Sequence, residues 1–221
     1  MHIAIIGAGN VGGTLGTCWA QHGHQITFGV RDPQDAHVQR VLTSAGANVQ
    51  ATQVREAASA APLVVLATPW GAAQEALHAA GPLAGKILVD ATNPLAMDPE
   101  GLKQGLLLGH LTSAAEQIAQ WAVGTRVVKA FNTTGWPNMA NPTYGAQRAT
   151  MFICGNEAEA KATVAQLAEE LGFEVVDTGA LTTARLLEPV AMLWIHLCVG
   201  LGWGPDFAFK VLKRANAASR S

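Results

Sequence analysis

The 221-residue chain predicts an α/β fold of the Rossmann type, a doubly wound, mainly parallel sheet with a small helical C-terminal part. Three observations lead there. The apolar run Ile3-Ala4-Ile5-Ile6 passes straight into a glycine turn, Gly7-Ala8-Gly9-Asn10-Val11-Gly12. Short β-branched runs then alternate with alanine-rich helical stretches, the pattern of parallel βαβ units. Long segments rich in Asn, Pro and Gly follow strands directly. With 49% hydrophobic and 14% charged side chains the chain can bury a large core.

Taken in order, strands are expected near His2 to Ile6, Gln25 to Gly29, Asn48 to Gln50, Leu63 to Ala67, Ile87 to Asp90, Arg126 to Ala130, Thr150 to Cys154 and Glu174 to Asp177. The first helix should run from Val11 to His22. Later helices open on capping residues, Thr112-Ser113 before Ala114 and Asn156 before Glu157. An apolar helix from Thr182 to Leu201 follows, which Pro189 should start or kink. Gly200, Gly202, Gly204 and Pro205 end it, and a short helix carrying Lys210, Lys213 and Arg214 should close the chain. These elements divide into a dinucleotide-binding domain over 1–179 and a helical extension over 180–221.

The segments Asn93 to Gly109 and Asn132 to Gly145 are too long to be simple connections, and both should emerge at the carboxyl edge of the sheet. The shorter turn Thr68-Pro69-Trp70-Gly71 joins that edge. Open α/β sheets bind their ligands in the crevice there.

The glycine turn points to a dinucleotide. Its first glycine permits the bend, its second lets backbone approach the pyrophosphate, and its third lets helix pack closely on strand. A helix N-terminus then faces the anion. An NAD site usually carries an acid at the end of the second strand; here Gly29 lies near that place and Arg31 follows. A guanidinium can grip a 2′-phosphate with two charge-assisted hydrogen bonds, which selects NADP. The competing reading of Arg31 is a solvated surface pair with Asp32.

Other chemistry is poorly represented. No nucleophile and base, and no metal-ligand spacing, can be assembled, and Cys18, Cys154 and Cys198 read as buried reduced thiols. A net charge of -2 without basic blocks argues against nucleic acid. No stretch is long enough to cross a bilayer, and the first strand begins at His2, so a cytoplasmic location is expected. Lys129 is a candidate proton donor, with a solvated or phosphate-facing amine as the alternative. Asn132 sits at the end of its strand, where it could touch cofactor or acceptor or cap its own loop. Trp70, Phe131 and Trp136 could wall a flat ring or anchor loops, whereas Trp19, Trp121 and Trp194 read as core.

The motifs Gly7 to Gly12, Phe28-Gly29-Val30-Arg31, Thr68-Pro69-Trp70, Asp90-Ala91-Thr92-Asn93-Pro94, Lys129-Ala130-Phe131-Asn132 and Arg185-Leu186-Leu187-Glu188-Pro189 together resemble the NADP oxidoreductases that act on the deazaflavin coenzyme F-420. The same nucleotide-binding fold is similar to the cytoplasmic part of membrane ferric reductases. The resemblance implies an NADP-binding Rossmann domain, commonly dimeric. By it Ala8, Gly9, Asn10 and Val11 hold the pyrophosphate, and Val30 with Arg31 holds the 2′-phosphate. Thr68, Pro69, Trp70, Asn93 and Pro94 lie toward the nicotinamide, and Phe131, Asn132, Thr133 and Trp136 toward the acceptor. Hydride exchange between NADPH and a flavin-like ring follows, with F-420 or a flavin as second substrate and no catalytic side chain required. The alternatives are an NADPH-dependent reductase of a small carbonyl or imine and a non-catalytic NADP sensor. The apolar C-terminal helix suggests a homodimer.

Overall fold

The computed structural model describes residues 1–96 and 105–214. Its first half repeats strand and helix: β1 (His2–Ile6), α1 (Asn10–Gln21), β2 (Gln25–Val30), α2 (Ala36–Ala45), β3 (Val49–Gln53), α3 (Val54–Ala60), β4 (Leu63–Leu66), α4 (Trp70–Ala80) and β5 (Ile87–Asp90). The second half continues with α5 (Ala114–Trp121), β6 (Arg126–Lys129), α6 (Trp136–Ala140), β7 (Thr143–Tyr144), β8 (Gln147–Arg148), β9 (Thr150–Gly155), α7 (Ala158–Glu170), β10 (Glu174–Asp177) and α8 (Ala184–Ile195).

Eight strands form one sheet in the order β10-β9-β6-β5-β4-β1-β2-β3, and β7 pairs with β8 apart from it. Strands β1 to β6 are mutually parallel where they pair, while β9 runs antiparallel to β6 and carries β10 parallel to itself. The chain therefore has the expected doubly wound sheet, reversed once near one edge. The strand order changes direction between β1 and β4, so the crevice of an open α/β sheet falls at their carboxyl ends.

Apolar runs explain the buried strands. Leu63–Leu66 and Ile87–Asp90 are buried at every residue, as strands covered on both faces must be. One core cluster, built on Ile3, Ile5, Leu15, Trp19 and Phe28, fills one face of the sheet; a second, built on Ala4, Ile6, Val64, Leu66 and Leu88, fills the other. The alternation of residues 3 to 6 between clusters is the two-residue period of a strand.

The structure corrects several expected elements. The segment Asn132 to Gly145 is not a plain loop: it contains α6 and the first strand of the β7–β8 hairpin. Asn156 does not cap α7, whose N-cap is Glu157; its side-chain oxygen instead accepts from the Leu181 N–H. Pro189 lies inside α8 rather than starting it, and the helix continues through a π-turn over His196–Gly200. No helix forms over 205–214; there the Thr150 N–H donates to the Phe209 carbonyl, and the Lys210 ammonium pairs with Glu174. Among the described residues no helix is long and apolar enough to cross a membrane, and no group of three metal-ligating side chains gathers.

Candidate functional site

The glycine turn is built by close backbone approach. Gly7 has φ 101°, a conformation that favours glycine, and its N–H donates to the Gly29 carbonyl at 3.1 Å, tying the turn to β2. A Cβ on Gly12 would lie 2.1 Å from the Gly7 carbonyl oxygen, so Gly12 is the residue that lets α1 rise directly from the turn. Gly9 is different: a Cβ there would meet nothing within 4 Å. It caps α1 with no side-chain hydrogen bond, leaving the amides of the first helical turn to an outside acceptor.

A cleft of about 480 Å³ opens over this turn, lined by Gly7, Ala8 and Gly9, by Val30 and Arg31, and by Thr68, Pro69 and the small residues Ala72, Ala76 and Ala79 of α4. Gly29 lies against α3, where a Cβ would stand 3.1 Å from the Val54 Cα. A side chain at that position would be tightly crowded by α3, and glycine there offers a ribose no carboxylate. The Asp32 carboxylate accepts from the Gln34 N–H at 2.9 Å, and among the described residues Arg31 forms no ion pair with it. The guanidinium stands exposed at the cleft's rim. Open space over Gly9, uncapped amides and an exposed Arg31 fit an anionic dinucleotide bearing a third phosphate.

Three titratable cleft residues escaped the sequence reading: Asp35, His37 and Glu75. Asp35 caps α2, accepting from the His37 and Val38 N–H groups, and the His37 ring bonds to the Ala8 carbonyl through Nε2 at 2.9 Å. The second strand's loop thus braces the glycine turn. The cap was legible in Asp35-Ala36-His37-Val38; the histidine's long-range bond was not. Asn10, Val11 and Gly12, at the start of α1, are not among the residues that line the cleft, and Asn10 is exposed.

At the adjoining strand ends the structure places Asn93 after β5 and Asn132 after β6, and joins them. The Asn93 side-chain amide donates to the Asn132 carbonyl at 2.9 Å, and Asn132 Nδ2 donates to Asn93 Oδ1 at 3.0 Å and to the Leu187 carbonyl at 3.3 Å. Thr133 is buried beside them and Pro94 continues from Asn93, its carbonyl accepting from the Leu107 N–H. The expected aromatic walls are largely spent elsewhere. Phe131, held at φ 61°, is 1% exposed and packs edge-on against Trp19 with ring centroids 5.5 Å apart. Trp70 stacks on Trp121 between α4 and α5 at 5.3 Å. Trp136 is the exposed one, at 46%.

Lys129 is neither a free proton donor nor a solvated amine. Its ammonium is fully buried, 2.8 Å from Asp90 Oδ2, 3.0 Å from Glu188 Oε1 and 2.6 Å from the Thr92 carbonyl. Burial opposes the charge, but the two carboxylates outweigh it and hold the amine above its ordinary pKa. Asp90 also accepts from the Thr92 amide and hydroxyl, and Glu188 from the Ala114 and Ala115 N–H groups at the start of α5. The carboxylate on the helix's positive end is itself favourable. One turn earlier on α8, Arg185 grips Glu116 through two nitrogens. The sequence signal for this network was three apolar runs, each ending in a charge: Val89-Asp90, Val128-Lys129 and Leu187-Glu188.

Relatives place this geometry. A family model described as NADP oxidoreductase coenzyme F420-dependent matches residues 2–94. The F420-dependent NADP reductase of Methanothermobacter marburgensis is 30% identical, over 89% of this chain and 92% of its own. The chain belongs to this family. A crystal structure of a candidate F420-dependent NADP reductase from Arthrobacter sp. FB24 superposes with a TM-score of 0.87 at 37% identity, covering 96% of this chain and 99% of that one. The rat metalloreductase STEAP3 is 31% identical over 86% of this chain, which spans 36% of that protein's length. A reductive aminase from Aspergillus terreus in complex with NADPH4, cyclohexanone and allyl amine shares the fold with a TM-score of 0.64 at 22% identity. Membership in the family makes the chain an NADP-dependent oxidoreductase.

Proposed function

We propose that the chain moves a hydride between NADP(H) and a flavin-like ring, with F-420 as the fitting acceptor. The observation that carries this reading is the pairing of an anion-ready glycine turn with a second ligand edge whose described polar residues are amides and hydroxyls, with Lys129 tied to two carboxylates. NADPH itself supplies the hydride, so the protein need contribute only binding, alignment and exclusion of water.

In this reading Gly7, Ala8, Gly9 and the amides of Asn10, Val11 and Gly12 hold the pyrophosphate. Val30 and Arg31 hold the 2′-phosphate. Thr68, Pro69, Trp70, Asn93 and Pro94 border the nicotinamide end, and Asn132, Thr133 and Trp136 the acceptor, with Phe131 supporting them from the core. A carbonyl or imine reductase needs a proton donor near the substrate, and Lys129 is not available as one.

One assay with two arms tests the proposal. NADPH oxidation is expected with deazaflavin, and absence of turnover with deazaflavin, FMN, FAD and ferric chelates alike would reject the hydride-exchange reading. In the second arm Arg31→Ala should weaken NADPH by roughly 10- to 100-fold while leaving NADH unchanged, the size of one lost charge-assisted contact. An unchanged NADPH to NADH ratio removes Arg31 from the site.

The exposed apolar side chains Leu186, Leu193, Val199, Leu201 and Trp203 support a homodimer through α8 and the turn after it. Sedimentation velocity at micromolar concentration should show a dimer; a monomer would end that assignment.

A further inference from the structure

Among the described residues three buried side-chain polar atoms have no hydrogen-bond partner: Thr68 Oγ1, Asn132 Oδ1 and Arg126 Nε. The last belongs to a guanidinium that already donates to the Gly85 carbonyl at the far end of β6. The other two lie just past the carboxyl ends of β4 and β6, on the edge that holds the candidate site. Asn132 is the more telling, because the residue is 4% exposed and its amide orientation is fixed. Its Nδ2 donates to Asn93 Oδ1 and to the Leu187 carbonyl. Turning the amide over would set oxygen against two oxygens, so Oδ1 must keep its present direction. The frame around it cannot yield easily: Leu187 precedes Glu188, whose carboxylate is locked to Lys129, and the Asn132 carbonyl is itself held by Asn93.

A buried acceptor left without a donor is costly, and native structures keep one where a ligand or water completes it. The free lone pairs of Asn132 call for an N–H donor. Carboxylate and phosphate are excluded by chemistry, since an acceptor cannot bind them.

Resting on the hydride-transfer reading, we infer that Asn132 Oδ1 is a preset acceptor for an amide-type N–H of the ring ligand bound at this edge. Two sources carry that chemistry, the primary carboxamide of the nicotinamide and the cyclic imide of a flavin-like acceptor. Asn132 then selects and orients the ligand by a hydrogen bond, taking no proton.

The test compares ligands that differ only in that N–H. Binding of NADPH and of its reduced 3-acetylpyridine analogue, which replaces the amide nitrogen by a methyl group, is measured by fluorescence. KM is measured for a 5-deazaflavin and for its imide N-methyl derivative. The wild-type protein should disfavour the analogue by roughly tenfold or more in one of the two pairs, which identifies the source. Asn132→Ala should bring that ratio near one. Ratios near one for both pairs in the wild-type protein, or a ratio unmoved by the substitution, overturn the inference. If Asn132→Ala does not fold, Asn132→Leu fills the volume without the acceptor and is read the same way. Should no ring acceptor turn over, the hydride-transfer reading fails by itself, while the NADPH binding pair still decides whether Asn132 receives an N–H.

Discussion

Lys129→Met should lower folding stability by about 3–5 kcal/mol, measured by denaturant unfolding, because it leaves the Asp90 and Glu188 carboxylates buried and facing each other without a cation. The loss comes from stranded charge rather than from lost packing, since methionine fills similar space. A variant with the network discharged, Asp90→Asn with Lys129→Met and Glu188→Gln, should therefore recover much of the loss. Equal damage in both variants, or a loss below about 1 kcal/mol in the single one, would show that the charges do not matter. The pH dependence has a definite sign. The amine's pKa is raised on folding, so its contribution is complete below the unfolded value of about 10.4 and declines only as pH climbs through the higher folded value. Across neutral pH the lysine's contribution in the wild-type protein should stay flat, whereas the gap to Lys129→Met should narrow as pH falls, because protonation relieves the stranded carboxylates.

Gly12→Ala is the second large effect. Its Cβ would sit 2.1 Å from the Gly7 carbonyl oxygen, a backbone atom, so turn and helix must separate. Overpacking of this kind costs about 1–3 kcal/mol. With the pyrophosphate held as proposed, displacing the first-turn amides should also weaken NADPH by roughly 100-fold or more, as two charge-assisted contacts are lost. Gly9→Ala provides the contrast. Nothing surrounds its Cβ position and its φ of -73° suits alanine, so stability should hold while NADPH affinity falls. If Gly9→Ala binds NADPH normally, the pyrophosphate does not lie over the turn. Thermal melting with and without NADPH reads both variants.

These two cases also mark what the amino-acid sequence could and could not disclose. The strands at His2–Ile6, Ile87–Asp90 and Glu174–Asp177 were legible to the residue, because apolar runs bounded by turn residues have a single solution inside a parallel sheet. The glycine turn was legible for a similar reason: its spacing records backbone approaches that only Gly permits. Partners distant in the chain were not. Lys129 looked free because Asp90 is 39 residues away and Glu188 lies in an apolar helix. The β7–β8 hairpin is two residues per strand, too short for any periodicity to register. Phe131 stayed open between ligand wall and anchor because local pattern cannot reveal that a left-handed backbone turns its ring back toward Trp19. The C-terminal stretch after Pro205 has helix-forming composition, yet Phe207 stacks on Trp194 and its carbonyl accepts from that indole, holding the chain extended.

The reversal of β9 against β6 has a consequence for how the molecule could have been assembled. Strands β1 to β6 follow the uninterrupted order of a dinucleotide-binding unit, and β9 and β10 extend that sheet at one edge with opposite polarity. That added material is bound into the nucleotide half: α6 packs on α1, the Trp19 indole donates to the Leu167 carbonyl of α7, the His24 ring bonds to Glu170, and α8 returns a carboxylate to the buried Lys129. Lengthening, shortening or exchanging the material between β6 and α8 would therefore disturb α1, the same helix that rises from the glycine turn.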